Sequence, residues 1–366
     1  MKKKNKSLKL ILVYFVFFLL GDVLVSNYFI KDNIENNCYK YLSNFHHLKK
    51  NCHAKEKWIK KSRSYNVYTD ENGFRYNGKK KDNNEKKKIL AFLGGSFTYG
   101  MGANFQKTYV GLIEESKPSF SIFNLGVPGY SPTVFNYQLK SLINKNIIPN
   151  KIFLVLDVVD VHNEAANWKK KEGQARPEKN IKVIQVEDKS ENKLKNFKRN
   201  NLKVTRLFAM SINNFLRSIK IYVSSIKVEV KKPGSTDYGS FLYKDRADLK
   251  QSAWEPYGFD RALVKIKNNI EEISKNAKLI ESDFYIIIYP WPEHLEYGQS
   301  KFNWELFAKE VCEENSCTKL INFFPDFEEI KKLSDEWVTK IYIENDIHLT
   351  NFGQDIVAQK ILKEAF

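Results

Sequence analysis

The sequence predicts an α/β fold built on a doubly wound parallel sheet. Short apolar runs alternate with stretches of helix length along most of the chain, a pattern typical of parallel strands joined by crossover helices. Several of these runs end in glycine or polar residues, as strands do where their carboxyl ends open into a crevice. At 366 residues, of which 42% are hydrophobic, the chain is long enough for one large domain with insertions or for two small ones.

The N-terminus predicts a membrane anchor. Five lysines among the first nine residues precede the apolar run Leu10–Leu20, and apolar character resumes after Asp22 as far as Ile30. Positive charge before an apolar segment favours a cytoplasmic N-terminus and an exported remainder. Counted through Ile30, about 21 residues are available to cross a bilayer, and no small-x-small cleavage site follows. We expect an uncleaved signal anchor over residues 1–30, with a cleaved signal peptide as the alternative.

Residues 31–64 are polar and lysine-rich, and we interpret them as a membrane-proximal stalk. The four cysteines fall into two local pairs, Cys38 with Cys52 and Cys312 with Cys317. An even number of cysteines in an exported chain suggests disulfides, and local pairing is the simplest connectivity.

The remaining residues, 65–366, form the predicted main domain. It opens with two short strands within 65–75, joined by a turn at Asn72-Gly73. The later predicted strands are Ile89–Leu93, Ser121–Leu125, Ile152–Leu156, Phe284–Tyr289 and Lys319–Phe323. The predicted helices are Gln106–Glu115, Pro132–Leu142, Phe259–Lys278, Asn303–Cys312 and a last helix from Asn351 to the end.

An insertion over about residues 168–254 interrupts this series. Its amphipathic region, Val204–Val230, is interpreted as a helix packed on the domain surface. A lid or partner-binding element against the membrane is the alternative.

The net charge of +17 is carried mostly by lysines spread along the chain. This distribution favours a solvated surface over a polyanion site for anionic lipid or acidic polysaccharide. No nucleic-acid-binding motif accompanies the charge, so no nucleic-acid partner is expected.

Four segments carry candidate chemistry. Three follow predicted strands: Gly94-Gly-Ser-Phe-Thr-Tyr-Gly100, Asn124-Leu-Gly-Val-Pro-Gly-Tyr-Ser131 and Leu156-Asp-Val-Val-Asp-Val-His-Asn-Glu164. The fourth, Asn345-Asp-Ile-His-Leu-Thr350, precedes the last helix. Because strand ends of an open parallel sheet face one crevice, a serine on the first turn, Ser96, can meet a histidine, His348, and a carboxylate, Asp346. This is the combination that nucleophilic acyl transfer needs.

The order of these segments resembles the SGNH (GDSL-type) hydrolase superfamily. The resemblance covers roughly residues 65–165 and 250–366, and it implies a three-layer α/β/α fold and acyl-ester chemistry. It maps Ser96 to the nucleophile, His348 to the general base and Asp346 to the acid that orients it. It also implies an oxyanion hole made of the backbone N–H groups of Ser96 and Gly129. We expect no cofactor and no metal.

Three departures from the superfamily pattern are present. Gly95 stands where the GDS motif has aspartate, and Val159 stands where the third block supplies an asparagine donor. Losing one such donor costs about 10²–10³ in rate, and Asn163 is a candidate replacement. The Asp-x-His spacing, shorter than the usual Asp-x-x-His, resembles polysaccharide O-acetyltransferases of the alginate-acetylation type.

Four further residues are candidates for substrate binding, each with a structural alternative. Tyr130 and Trp291 have rings that stack on sugars or pack in a core. Arg75 suits an acidic substrate or a structural salt bridge. Asp160 belongs to an acidic cluster with Asp157 and Glu164 that we interpret as polar lining of the crevice, since no metal-ligand spacing appears.

We therefore expect a serine-dependent esterase or O-acyltransferase, with acetyl as the acyl group, acting on a cell-surface or exported glycan. Asp70–Arg75 and Tyr289–Pro292 resemble accessory motifs of exported members linked to cell-surface polysaccharide modification. The expected partners are a glycan or acyl ester, the membrane and, as a candidate, a membrane acyltransferase. The alternative is a catalytically weak SGNH-like binding or scaffold module of a polysaccharide assembly complex.

Overall fold

The structure is a computed structural model. It describes residues 13–14, 16–25, 37–41, 46–58, 64–79, 88–166, 168–171, 174–177, 202, 204–205, 258–299, 302–344 and 346–366. The chain divides into two compact units, a smaller one of residues 1–34 and 184–236 and a larger one of residues 35–183 and 237–366. Most of the predicted insertion, including nearly all of Val204–Val230, lies outside the described residues.

The described part of the smaller unit contains the middle of the predicted anchor. Residues 13–14 and 16–25 are helical. The carboxylate of Asp22 accepts hydrogen bonds from the backbone N–H groups of Val204 (3.0 Å) and Thr205 (2.7 Å). Among the residues that the structure describes, no helix is both long and apolar enough to span a membrane. The rest of the predicted anchor lies outside them.

The larger unit is built on an eight-stranded sheet. Five of its strands are parallel: β6 Lys88–Leu93, β7 Phe120–Asn124, β8 Lys151–Leu156, β11 Asp283–Ile288 and β12 Lys319–Asn322. Three are antiparallel: β3 His53–Glu56, β4 Tyr65–Thr69 and β5 Arg75–Tyr76. The strand order is β12-β11-β8-β6-β7-β5-β4-β3. Two separate hairpins are β1 Tyr39–Tyr41 with β2 His46–Leu48, and β9 Trp168–Lys171 with β10 Gln174–Pro177.

Ten helices are described in the larger unit. They are α1 Ser96–Tyr99, α2 Tyr109–Ser116, α3 Pro132–Asn144, α4 Val159–Ala166, α5 Phe259–Leu279, α6 Pro292–Tyr297, α7 Trp304–Glu314, α8 Phe324–Leu333, α9 Trp337–Ile341 and α10 Asn351–Ala365. Side-chain caps set the starts of α2, α7 and α10. The side chains of Thr108, Asn303 and Thr350 each accept a hydrogen bond from the backbone N–H of the third residue of the helix that follows.

The strand order places helices on both faces of the sheet. The chain moves one way along the sheet from β6 to β7 and the opposite way from β7 to β8 and on to β11 and β12. Because parallel crossovers are right-handed, connections in opposite directions lie on opposite faces. In agreement, α2 packs against α10, whereas α3 and α4 pack against α5. The central strands are buried along nearly their whole length, as a sheet covered on both faces requires.

The sheet is mixed, which corrects the prediction of a parallel sheet. The hairpin of β4 and β5, which turns at Gly73 with φ 86°, joins the β7 edge through Arg75 opposite Asn124. A hairpin this short can only be antiparallel. The two predicted strands and the turn are in place, but no local pattern indicates which sheet they extend.

The predicted stalk also differs from the structure. Residues 53–56 form β3, the outer strand next to β4, and Ala54 and Glu56 are buried. The disulfide Cys38–Cys52 lies in the same unit, and Cys312–Cys317 joins the end of α7 to the residues before β12. Both predicted disulfide pairs are confirmed. The predicted strand and long-helix positions agree with the structure to within about three residues. The helices α1, α6 and α9 were not predicted because their four to six residues are too few to show a helical period. The longer helices α4 and α8 were not predicted either.

Candidate active site

The first glycine loop turns directly from β6 into α1, with Ser96 as the first helical residue. A methyl group added to Gly94 would lie 2.0 Å from Thr98 Oγ1 and 3.2 Å from Val155 Cβ, so the turn closes only around glycine. The backbone N–H groups of the first helical turn have no acceptor within the helix. Ser96 therefore presents both its hydroxyl and its N–H at the carboxyl edge of the sheet.

The second glycine loop lies beside the first. Val127 N–H donates to the carbonyl of Gly94 (3.2 Å), and a methyl group on Gly126 would lie 2.3 Å from the backbone nitrogen of Tyr99. Gly129 follows in the left-handed region, with φ 79°. The contact between the two loops places Gly129 at the same sheet edge as Ser96.

The histidine and the aspartate sit on a closed loop just before α10. Ile343 N–H donates to the carbonyl of His348 (2.7 Å), and Asp346 N–H donates to the carbonyl of Ile343 (2.9 Å). Tyr342 and Leu349 form a β-bridge at the base of this loop. Backbone hydrogen bonds thus fix both side chains in their orientation relative to the sheet.

These elements bring the three predicted residues together. His348 Nε2 lies 2.7 Å from Ser96 Oγ, and His348 Nδ1 lies 2.8 Å from Asp346 Oδ1. A carboxylate at Nδ1 assigns the proton to that nitrogen, which leaves Nε2 to accept from the serine hydroxyl. His348 and Asp346 are both buried. The arrangement matches a nucleophile, a general base and a carboxylate that orients the base.

Asp346 is held in its charged form. Burial by itself favours the neutral acid, but His348, the indole N–H of Trp58 and the backbone N–H of Ile347 stabilise the carboxylate and lower its pKa. Trp58 also meets the imidazole edge-on, with ring centroids 5.3 Å apart, and Phe97 packs on it at 4.9 Å. Neither aromatic residue is predicted from the sequence to contact the histidine. Trp58 lies in the stretch interpreted as stalk, and no motif marks it.

The acids of the third segment are engaged inside the protein. Asp157 accepts a hydrogen bond from Trp291 Nε1 (2.7 Å), and burial raises its pKa to about 6 against the effect of that bond. Asp160 accepts from the backbone N–H of Asp157 (2.9 Å), and burial together with the nearby Asp157 raises its pKa well above the usual value.

Glu164 fixes the end of the second glycine loop. Its carboxylate accepts from Ser131 Oγ (2.8 Å), Thr133 N–H (2.6 Å) and Thr133 Oγ1 (2.8 Å), at the start of α3. Lys265 from α5 lies 3.3 Å from the same carboxylate. No group of three or more metal-binding side chains occurs within the described ranges.

Val159, which stands where the superfamily has an asparagine donor, and Asn163, its candidate replacement, both lie on α4. Val159 begins the helix, and its side chain has no hydrogen-bond donor. Asn163 is buried, and its amide nitrogen lies 3.4 Å from the carbonyl oxygen of Tyr130, to which it donates. The amide thus contacts the backbone of the second glycine loop.

The four predicted substrate-binding residues, Arg75, Tyr130, Asp160 and Trp291, are all buried. Arg75 is the clearest case, because the residue is 1% exposed and its guanidinium donates to the carbonyls of Tyr99, Gly100 and Ala103. A buried guanidinium requires such acceptors, and here they belong to the turn after α1. In this structure all four residues lie within the protein and present little surface to a substrate, at most 8% for Trp291.

Comparison with known proteins gives no family model and no curated protein that matches this chain. Solved structures similar to it include LAE5, an alpha/beta hydrolase enzyme from the metagenome of Lake Arreo, Spain, with 9% identity, coverage of 75% of this chain and 94% of that one, and a TM-score of 0.40. A member of the lipolytic protein G-D-S-L family from Veillonella parvula has 12% identity, coverage of 76% and 97%, and a TM-score of 0.37. A catalytic mutant of Axe2, an acetylxylan esterase from Geobacillus stearothermophilus, has 11% identity, coverage of 76% and 93%, and a TM-score of 0.37.

The G-D-S-L family named among these structures is the one that the motifs of this chain resemble.

Proposed function

We propose that this chain is a serine-dependent acyl-ester enzyme of the SGNH type. One observation carries the proposal: Ser96 Oγ, the His348 ring and Asp346 form a continuous hydrogen-bonded series, with contacts of 2.7 and 2.8 Å. The 2.7 Å between Ser96 Oγ and His348 Nε2 is within the hydrogen-bond distance that proton transfer requires.

The mechanism follows from this series. As Ser96 Oγ attacks an ester carbonyl, its proton passes to His348 Nε2, and Asp346 stabilises the resulting imidazolium. The backbone N–H groups of Ser96 and Gly129 stabilise the oxyanion. His348 then returns the proton to the leaving alcohol, and an acyl-serine remains. With Val159 in place of a side-chain donor, the oxyanion receives less stabilisation, and we expect a turnover about 10²–10³ below that of a three-donor site.

The acceptor in the second half of the reaction decides between hydrolysis and transfer. Water gives an esterase, whereas a sugar hydroxyl gives an O-acyltransferase, and the same three residues serve both. The Asp-x-His spacing supports transfer of an acetyl group to or from an exported or cell-surface glycan. A membrane acyltransferase that supplies the acyl group is the partner this role would require.

We further propose that the domain works outside the cytoplasm and that the N-terminal segment anchors it. The lysines before the apolar run support this orientation. Two disulfides in the larger unit support an oxidising compartment.

The experiment uses p-nitrophenyl acetate and a fluorophosphonate probe on the full chain in detergent. We expect Ser96-dependent release of nitrophenol and a single phosphonyl adduct on Ser96, found by peptide mass spectrometry. Ser96→Ala should abolish both signals. Ser116→Ala is the matched control, because Ser116 is an exposed serine on α2 and its loss should change neither.

Two results would contradict the proposal. Turnover that persists in Ser96→Ala would remove Ser96 from the mechanism. Absence of both turnover and adduct in the wild-type chain would favour a non-catalytic scaffold. If acetyl transfer to an oligosaccharide exceeds hydrolysis in the same assay, the transferase is the better description.

A further inference from the structure

We call residues 53–58, which comprise β3 and the two residues after it, the N-terminal strap. From this strap the side chain of Trp58 reaches the triad, by which we mean Ser96, His348 and Asp346. Its indole N–H donates to Asp346 Oδ2. The other carboxylate oxygen, Oδ1, is the one that meets His348 Nδ1. The two oxygens of Asp346 are thus held from different directions, one by the imidazole and one by the indole.

The strap is fixed well enough to place this indole. β3 pairs with β4 over its whole length, His53–Glu56. The carboxylate of Glu56 accepts hydrogen bonds from the hydroxyls of Tyr65 (3.1 Å) and Tyr99 (3.0 Å), and Tyr99 ends the helix that Ser96 begins. Cys52, which forms a disulfide with Cys38, immediately precedes the strap. The strap is therefore tied to the same short helix that carries the proposed nucleophile.

We propose that Trp58 is a positioning residue for the triad, an inference that rests on the proposed function. An aspartate side chain can rotate about its terminal bond, and a donor at Oδ2 restricts that rotation so that Oδ1 stays on His348. The same donor stabilises the carboxylate and so keeps Asp346 charged at lower pH. The edge of the indole also covers one side of the imidazole. The active site thus requires a residue from outside the segments that resemble the SGNH superfamily.

The first test is the pH dependence of turnover in Trp58→Phe. The phenyl ring keeps much of the packing but has no N–H. We expect kcat to fall about 10-fold, the scale of a lost hydrogen bond to a charged group, with little change in KM for the acetyl ester. The acid limb reports proton uptake by the coupled pair of His348 and Asp346. Without the indole donor the carboxylate is more basic and the pair takes up a proton more readily, so the acid limb of the rate profile should move to higher pH. Loss of packing alone would lower the rate without moving that limb.

Trp304→Phe is the matched control. Trp304 is buried on α7, and its indole N–H has no hydrogen-bond partner within the part of the chain described. The same substitution there should leave the acid limb in place. An acid limb in Trp58→Phe that coincides with that of the wild type would overturn the proposal.

A second measurement does not depend on turnover. The chain has six tryptophans, and the indole N–H resonance missing from Trp58→Phe identifies Trp58 in a proton–nitrogen correlation spectrum. In Asp346→Asn this resonance should move upfield, because an amide oxygen is a weaker acceptor than a carboxylate. A resonance that does not respond to Asp346→Asn would overturn the contact itself. An inactive wild type would contradict the proposed function, while the indole resonance would still decide whether Trp58 holds Asp346.

Discussion

At the scale of single residues, Asp157 and Asp346 are two buried carboxyl groups with opposite shifts in pKa. Both are at most 2% exposed. For both, burial favours the neutral acid, but Asp346 also faces an imidazole, an indole N–H and a backbone N–H, and its pKa is lowered. Burial is the larger effect at Asp157, whose pKa rises to about 6. Asp157 also accepts hydrogen bonds from the indole N–H of Trp291 and the backbone N–H of Val159. The direct contact of Asp346 with His348 is therefore the difference that makes Asp346 the stronger acid of the two.

His294 is a buried imidazole outside the triad. It is 2% exposed, and neither ring nitrogen has a hydrogen-bond partner among the described residues. Burial lowers its pKa from 6.5 to about 4. The unfolded chain therefore takes up a proton at this side chain at a higher pH than the folded protein does. His294 consequently lowers the free energy of unfolding as the pH falls from about 6.5 to about 4.

We predict that His294→Phe becomes increasingly stable relative to the wild type over this pH range. The full difference in pKa corresponds to about 3 kcal/mol as an upper value. Urea unfolding of both proteins at several pH values between 4 and 7 measures the difference directly. The comparison is needed because Asp157, whose pKa is raised, contributes with the opposite sign over part of this range.

Leu295→Ala is the control for this experiment. Leu295 is buried next to His294 and does not titrate, so its truncation should lower stability by a similar amount at each pH. A constant offset between His294→Phe and the wild type from pH 7 to pH 4 would show that the imidazole does not resist protonation.

At the scale of elements, the turn from β6 into α1 depends on two glycines with different surroundings. The Cβ of any other residue at Gly94 would meet Thr98 inside the same turn, whereas a methyl group on Gly95 would first meet the carbonyl oxygen of Tyr130, at 3.7 Å. The first contact is a severe overlap and the second is an ordinary van der Waals distance. Only Gly94 is required by packing.

We predict that Gly94→Ala lowers the free energy of unfolding by about 1–3 kcal/mol, the usual cost of overpacking. It should also reduce turnover, because the turn positions Ser96. Gly95→Ala is its matched partner and should cost less than about 1 kcal/mol. Urea unfolding followed by tryptophan fluorescence gives both values. Equal losses in the two variants would mean that the turn is not packed as described.

At the scale of the whole molecule, the two disulfides and the N-terminal segment bear on the same question of location. We predict that all four cysteines of the full chain are oxidised in cells, since disulfides form and persist outside the cytoplasm. Denaturation in the presence of a maleimide-linked polyethylene glycol should produce no mass shift on a gel until a reductant is added.

Removal of residues 1–30 provides the comparison for this labelling. If that segment directs export, the shortened chain remains in the cytoplasm and its thiols are labelled without reductant. Immediate labelling of the full chain would contradict an exported domain.

The sequence by itself determined the central strands, the long helices, both disulfide pairs and the identity of the residues that meet as Ser96, His348 and Asp346. These features depend on local pattern, because apolar runs form buried strands and glycine permits the tight turn after β6. Only the tertiary structure decided that the antiparallel strands extend the β7 edge. It also decided that Arg75, Tyr130, Asp160 and Trp291 are buried and that Trp58 reaches Asp346 across 288 positions of sequence. Such contacts depend on strand order and side-chain packing between distant segments, which no local pattern specifies.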